Sequence, residues 1–155
     1  MSHRVASFTI LIKQTDDGLP QNSVISIAQT PDGCLWLATF NGLVRFDGVR
    51  FKVFDPENVP ALTSSRITLL FADRRGGLWI ATEEGGLIVR QQGAFRTLPT
   101  TNRVWAFTER KDGIVWITTA KGLYEWRGDT LRPAQGPMAS FQKGVAPQTE
   151  PLPMK

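Results

Sequence analysis

The chain has 155 residues, the size of one ordinary domain, with 41% hydrophobic and 21% charged residues, the balance of a folded soluble protein. One cysteine, Cys34, and one histidine, His3, exclude an internal disulfide, a cysteine cluster, a histidine-based triad and a multi-histidine metal site. The net charge of +4 comes from basic residues mixed with acids in runs of no more than two, so no dedicated nucleic-acid site is expected.

In chain order, residues 1–13 read as an extension holding one edge-strand candidate at 8–12. That apolar run is interrupted by Thr9 and is too short to span a membrane. The extension has no convincing hydrophobic signal region and no small-residue cleavage site, so no export signal is expected. A phrase then occurs three times: Asp32-Gly33-Cys34-Leu35-Trp36-Leu37-Ala38-Thr39, Arg75-Gly76-Gly77-Leu78-Trp79-Ile80-Ala81-Thr82 and Asp112-Gly113-Ile114-Val115-Trp116-Ile117-Thr118-Thr119. The aligned positions extend beyond it. Val24, Ile67 and Val104 align before the phrase, as do Ile27, Leu70 and Phe107, and Gly42, Gly85 and Gly122 follow. Trp36, Trp79 and Trp116, with Gly33, Gly76 and Gly113, are therefore read as structural anchors.

Each copy predicts four short strands separated by glycine turns. They are placed at 23–29, 35–39, 43–46 and 50–54 in a unit spanning 14–54. The next unit, 55–98, has its first strand at 66–72, its third at 87–90 and its fourth at 95–98. The unit at 99–132 has them at 103–109, 123–126 and 130–132. The second copy carries an extra residue at Gly85-Gly86 and a slip before Gly93, both expected at a loop or bulge. Residues 133–155 hold Pro133, Pro137, Pro147, Pro151 and Pro153 and read as a flexible tail. Four-stranded units at this period predict an all-β partial propeller of about three blades, where four to eight normally close a ring.

No catalytic constellation is visible, and neither a cofactor nor a metal site is expected. Asp16-Asp17 and Glu83-Glu84 are adjacent pairs whose side chains diverge on extended backbone. Gly85-Gly86 and Arg75-Gly76-Gly77 are turns without the downstream Lys-Ser/Thr of a phosphate loop. Cys34 reads as a small hydrophobe beside Trp36. The residues after each repeated threonine, Phe40 and Asn41, Glu83 and Glu84, Ala120 and Lys121, differ between copies and are the candidate ligand-binding positions on one face of the blades.

The lead-in Asp16-Asp17-Gly18-Leu19-Pro20-Gln21-Asn22-Ser23-Val24, followed by Asp32 through Gly48, resembles the blade signature of the two-component regulator propeller family, and the likeness covers residues 14–128. It departs from that pattern at Ala38, Ala81 and Thr118, where the family often has glycine, and at Val89 and Glu125, where the first copy has Arg45. The resemblance implies an extracytoplasmic, hence periplasmic, sensing region of a bacterial receptor with a histidine kinase or diguanylate cyclase output. It implies a noncatalytic, small-molecule-sensing role, with further blades or receptor domains as partners. Two other readings stand beside it: an interaction or self-assembly module that uses exposed blade edges and faces, and an inactive truncated receptor fragment.

Overall fold

The computed structural model describes residues 18–100 and 102–135, together with Asp16. The strand candidate at 8–12 and most of the proline-rich tail lie outside the described residues. Twelve strands form three antiparallel sheets, each a meander of sequence neighbours. Blade 1 holds β1 (Ser26–Gln29), β2 (Leu35–Thr39), β3 (Gly42–Phe46) and β4 (Phe51–Phe54). Blade 2 holds β5 (Ile67–Ala72), β6 (Leu78–Thr82), β7 (Leu87–Gln91) and β8 (Ala94–Leu98). Blade 3 holds β9 (Val104–Glu109), β10 (Val115–Thr119), β11 (Gly122–Arg127) and β12 (Thr130–Pro133). The fold is a partial β-propeller, with β5 lying beside β1 and β2 of one neighbour and beside β9 of the other.

Local chemistry explains the repetition. Gly33, Gly76 and Gly113 adopt φ values of +84°, +88° and +82°, which strain other residues. Their N–H groups donate to the carbonyls of Thr30, Asp73 and Arg110 at 2.9, 3.1 and 3.0 Å, closing the same turn in each blade. The first strands begin later than their sequence patterns suggest. Those of blades 2 and 3 also carry a register shift, which leaves Thr68 and Trp105 as extra residues in the ladder. The extra residue of the second copy is taken up in the β6–β7 turn, where Gly85 has φ +90°. At the other end, β12 reaches Pro133 and the Ala134 N–H donates to Leu123 O at 2.9 Å, so the ladder continues past residue 132.

Strand alternation sends Leu37, Ile80 and Ile117 to one face of their sheets and the three tryptophans to the other. Between blades 1 and 2, Trp36, Ala38, Leu43 and Phe54 pack with Leu62, Ile67, Leu78, Ile80 and Ile88. Between blades 2 and 3, Trp79, Ala81, Leu87 and Val89 pack with Val104, Val115 and Ile117. Trp36 and Trp79 are fully buried in these two seams. Trp116 lies on the side of blade 3 that faces away from blade 2 and is only half-buried. The anchor role read from the sequence is thus complete at two positions and one-sided at the third.

The indoles also need a hydrogen-bond acceptor once buried. Trp36 Nε1 donates to Thr30 Oγ1 at 3.0 Å, and Trp79 Nε1 donates to Asp73 Oδ2 at 2.9 Å. The corresponding residue in blade 3 is Arg110, which has no acceptor to offer. Its guanidinium lies over the Trp116 ring at 5.2 Å, and Trp116 Nε1 has no partner among the described residues.

Trp79→Ala is expected to cost about 3–5 kcal/mol, and Trp116→Ala less than half of that, because only one side of its ring is packed. Urea unfolding of the two variants measures the difference. Gly86→Ala is expected to destabilise by about 1–3 kcal/mol, since a Cβ there would stand 2.3 Å from Thr63 Oγ1 and 2.7 Å from Thr82 Oγ1. A midpoint equal to that of the parent chain would contradict this packing.

Candidate functional site

Three turns, β2–β3, β6–β7 and β10–β11, come out on one face of the blades. Each is pinned by the threonine that precedes it. Thr39 Oγ1 donates to Gly42 O at 2.8 Å and accepts from the Asn41 N–H at 3.1 Å. Thr119 Oγ1 likewise donates to Gly122 O at 3.0 Å and accepts from the Lys121 N–H at 3.2 Å. In the longer middle turn, Thr82 Oγ1 accepts from the Gly86 N–H at 2.9 Å. All three threonines are buried, so the repeated Thr holds the turn while the next two residues are free to vary.

A second set of bonds ties these turns to the segments leading into the first strands. The Glu83 N–H donates to Arg66 O, and the Ala120 N–H donates to Arg103 O, both at 3.0 Å. Glu83 and Ala120 therefore project from equivalent places. Asn41 is held differently, its Nδ2 donating to Pro20 O at 3.5 Å.

Arg66 organises the centre of this face. Its Nε donates to Glu83 Oε2, and its guanidinium lies 4.1 Å from the centre of the Phe40 ring on the preceding blade. The hydrogen bond from Arg66 holds the Glu83 carboxyl below its usual range; desolvation opposes the shift, and the charges of Arg66 and Arg103 add to it. The same pair raises the Arg66 guanidinium above its usual value. The face carries a cation–carboxylate–cation row, Arg66, Glu83 and Arg103, that crosses the seam between blades 2 and 3.

Glu84 adds its charge to that of Glu83 in raising the Arg66 guanidinium. It lines an open cleft of about 610 Å³ together with Thr63, Thr97, Thr100 and Asn102, which present hydroxyl and amide groups. The structure thus joins Phe40 and Glu83 through Arg66, puts Glu84 in the adjoining cleft, and leaves Ala120 and Lys121 on the third turn. Sequence reasoning missed Arg66 and Arg103. The aligned column Ser23, Arg66, Arg103, one residue before the repeated β-branched position, held the available signal.

Among proteins of known family, the two component regulator propeller matches residues 18–41 and 61–84, which are the lead-in and first half of blades 1 and 2. Two segments of the chain thus match the two-component regulator propeller repeat. A histidine kinase of Formosa agariphila, named P4, is 45% identical to this propeller chain over 49 residues, covering 30% of the chain and 4% of the kinase. The extracellular domain assigned to a hybrid two component system of B. thetaiotaomicron superposes with a TM-score of 0.64 at 26% identity, over 76% of the chain and 17% of that domain. A streptogramin B lyase superposes with a TM-score of 0.58 at 21% identity, over 74% of the chain and 41% of the lyase, which shows the shared fold alone. The propeller chain therefore spans a small fraction of the kinase and receptor domain that it resembles. No helix among the described residues is long and apolar enough to cross a membrane.

Replacing Arg66 by Ala is expected to let the Glu83 carboxyl rise toward its ordinary range, read by NMR titration of the side-chain carboxyl carbon. The sign of the linkage follows from the lowered value: any stabilisation from the Arg66–Glu83 pair is present above the ordinary glutamate range and is lost as pH falls through the folded value. A Glu83 titration unmoved by Arg66→Ala would refute the pairing.

Proposed function

We propose that the chain is a noncatalytic portion of the extracytoplasmic, periplasmic sensor region of a bacterial two-component-type receptor. In this reading its turn-bearing face contributes to small-molecule recognition. Support comes from the repeats themselves and from the likeness to a receptor extracellular domain. The observation that carries the recognition part is the arrangement of the face. Turns of fixed backbone present different side chains, and a cleft lined by Glu84 and by hydroxyl and amide groups opens beside an Arg–Glu–Arg row. Such a surface suits a small ligand with both polar and apolar parts, because Glu84, the threonines and Asn102 offer directional contacts beside the apolar Leu98 and Pro99.

The chemistry argues for binding over turnover. Glu83 is held as a carboxylate by Arg66, which makes it a poor proton acceptor near neutral pH. Glu84 has no titratable partner lining its cleft.

The reading is tested by NMR mapping of a panel of sugars, amino acids and small organic acids against the chain. At least one class is expected to shift the amides of Glu84, Thr97 and Asn102, with the shifts weakened in a Glu84→Gln, Asn102→Ala variant. Absence of any saturable shift on this face across the panel would remove the recognition role. Perturbations confined to the opposite face of the blades would also count against it.

A further inference from the structure

At the other end of the strands from the turn-bearing face, the mouth of the second seam holds a cleft of about 500 Å³. Arg75 and Gln91 line it from blade 2, and Asp112, Trp126 and Asp129 line it from blade 3. The two blade 2 residues do none of the structural work of their counterparts. Asp32 and Asp112 stand at the place of Arg75 in the other copies, and each closes its own turn. Their Oδ1 atoms accept from the N–H groups of Cys34 and Ile114 at 3.2 and 3.3 Å. In blade 2 that task has passed to Asp73, whose Oδ1 accepts from the Arg75 and Gly77 N–H groups. Asp47, the counterpart of Gln91, likewise accepts from the Val49 and Arg50 N–H groups at 2.9 and 2.8 Å. The β7–β8 turn is instead made by Gln92 and Gly93, both at positive φ. The side chains of Arg75 and Gln91 are thus left without a hydrogen-bond partner among the described residues.

The Arg75 guanidinium is nonetheless held in place. It lies over Gly113 of the next blade, where a Cβ would stand 3.1 Å from its Nη2 and 3.5 Å from its Cζ and Nε. The other charged groups that line the cleft already have partners. Asp112 pairs with Arg110 at 3.1 Å, Asp129 with Arg96 at 3.5 Å and Arg127 with Glu125 at 3.3 Å. Arg75 is therefore the unmatched charge of the cleft among the described residues, and it is positive. Trp126 and Ile114 add apolar surface, and the Trp126 ring meets Trp79 edge-on with centres 5.5 Å apart. The same place in the first seam differs. Blade 1 presents Asp32 and Asp47 there, and Arg90 holds the register of Trp126. The chemistry of the cleft is thus particular to the second seam.

We propose that this cleft binds a small carboxylic acid with a compact apolar body, its carboxylate on Arg75 and the Gln91 amide and its body on Trp126 and Ile114. A guanidinium offers a carboxylate two parallel N–H donors, and the amide supplies a third. The volume falls in the range of small-molecule sites. Asp112 and Asp129 are offset by Arg110 and Arg96, so the cleft keeps an excess of positive charge. An ammonium group would gain only from those offset carboxylates and would meet Arg75 as a like charge. Both blades that build the cleft are described, so the site needs no further blade. It is also independent of the recognition role proposed for the turn-bearing face, which lies at the opposite ends of the strands.

The test is NMR titration of the full isotope-labelled chain with benzoate, benzamide and benzylamine. Benzoate is expected to give saturable shifts at the Gln91 side-chain amide, the Gly113 amide and the Trp126 indole N–H. It should bind about tenfold or more tightly than the neutral and cationic analogues, the advantage of a charge-assisted hydrogen bond. Arg75→Asp, which places there the residue that blades 1 and 3 carry, should keep the spectrum of a folded chain and lose the benzoate response. If Arg75→Asp disturbs the fold, Arg75→Gln takes its place with the same expectation. The proposal is overturned if benzoate gives no saturable shift at these groups, as it would if undescribed residues covered the cleft. It is overturned as well if benzamide or benzylamine binds as tightly, or if the Arg75 variant binds benzoate like the parent chain. Shifts confined to Glu84, Thr97 and Asn102 would overturn it while supporting recognition at the turn-bearing face.

Discussion

The structure depends on a tryptophan pressed between two sheets whose indole N–H must still find an acceptor. The ring supplies the largest apolar surface at the seam, and burial makes an unpaired N–H costly, on the order of 1–3 kcal/mol. The turn that precedes each tryptophan strand solves both problems together. Its glycine closes the chain tightly, which brings the residue six positions before the tryptophan back beneath the indole. Thr30 meets the need with a hydroxyl that also touches Asp32 Oδ1 at 2.5 Å. Asp73 meets it with a buried carboxylate that also accepts from the Gly77 N–H at 2.8 Å and the Arg75 N–H at 3.0 Å. One requirement is thus met by two chemistries. Arg110 meets it by neither: the Trp116 ring is only half-buried, yet its Nε1 is buried and has no partner among the described residues.

Enclosure of the seams then fixes what the turns can do. Ala38 and Ala81 are fully buried beside their tryptophans, and the buried threonines tie down the glycine that ends each turn. Variation is confined to the next one or two positions. Arg66 bridges from its own blade to Phe40 of the preceding one, so the face is built across a seam and not within a single sheet. Its geometry is inherited from the packing of the tryptophans below.

Much of this was legible in the sequence because the relevant contacts are local or periodic. The glycine turns, the alternation of β2, β6 and β10, and the threonine after each strand are short-range patterns, and the strands fall within a residue or three of their expected limits. What the pattern could not carry was the neighbourhood. Ile27 and Leu70 are the same kind of residue at the same place in the repeat, yet one is exposed and the other buried, because burial is decided by the adjoining blade. The bulges at Thr68 and Trp105 were missed for a related reason: neither carries a glycine, and each arises from pairing with a strand whose length is set elsewhere. Arg66 escaped notice because its partners are 17 residues ahead and 26 behind, outside any local motif. The candidate pairs after each threonine were placed on one face by the repeat, but only the fold could separate Glu83, drawn to Arg66, from Glu84, which lines the cleft.

That separation bears on what the propeller architecture can be made to do. A fold of this kind is shared by a receptor's extracellular domain and by a lyase, so the architecture alone selects neither binding nor chemistry. The distinction lies in how the face treats its carboxylates. A general base needs a carboxylate whose affinity for a proton is raised, commonly by burial or by a like charge. Glu83 receives the opposite treatment: a guanidinium hydrogen bond and a second nearby arginine favour its charged form. Arg66 is in turn committed to Glu83 and to the Phe40 ring, which fixes its plane across the seam. A polar ligand that competed for Arg66 would contend with the Glu83 bond inside blade 2 and with the Phe40 contact across the first seam. Displacing the Arg66 guanidinium from the Phe40 ring would remove a contact between blades 1 and 2, so this face and the seam beneath it are physically linked.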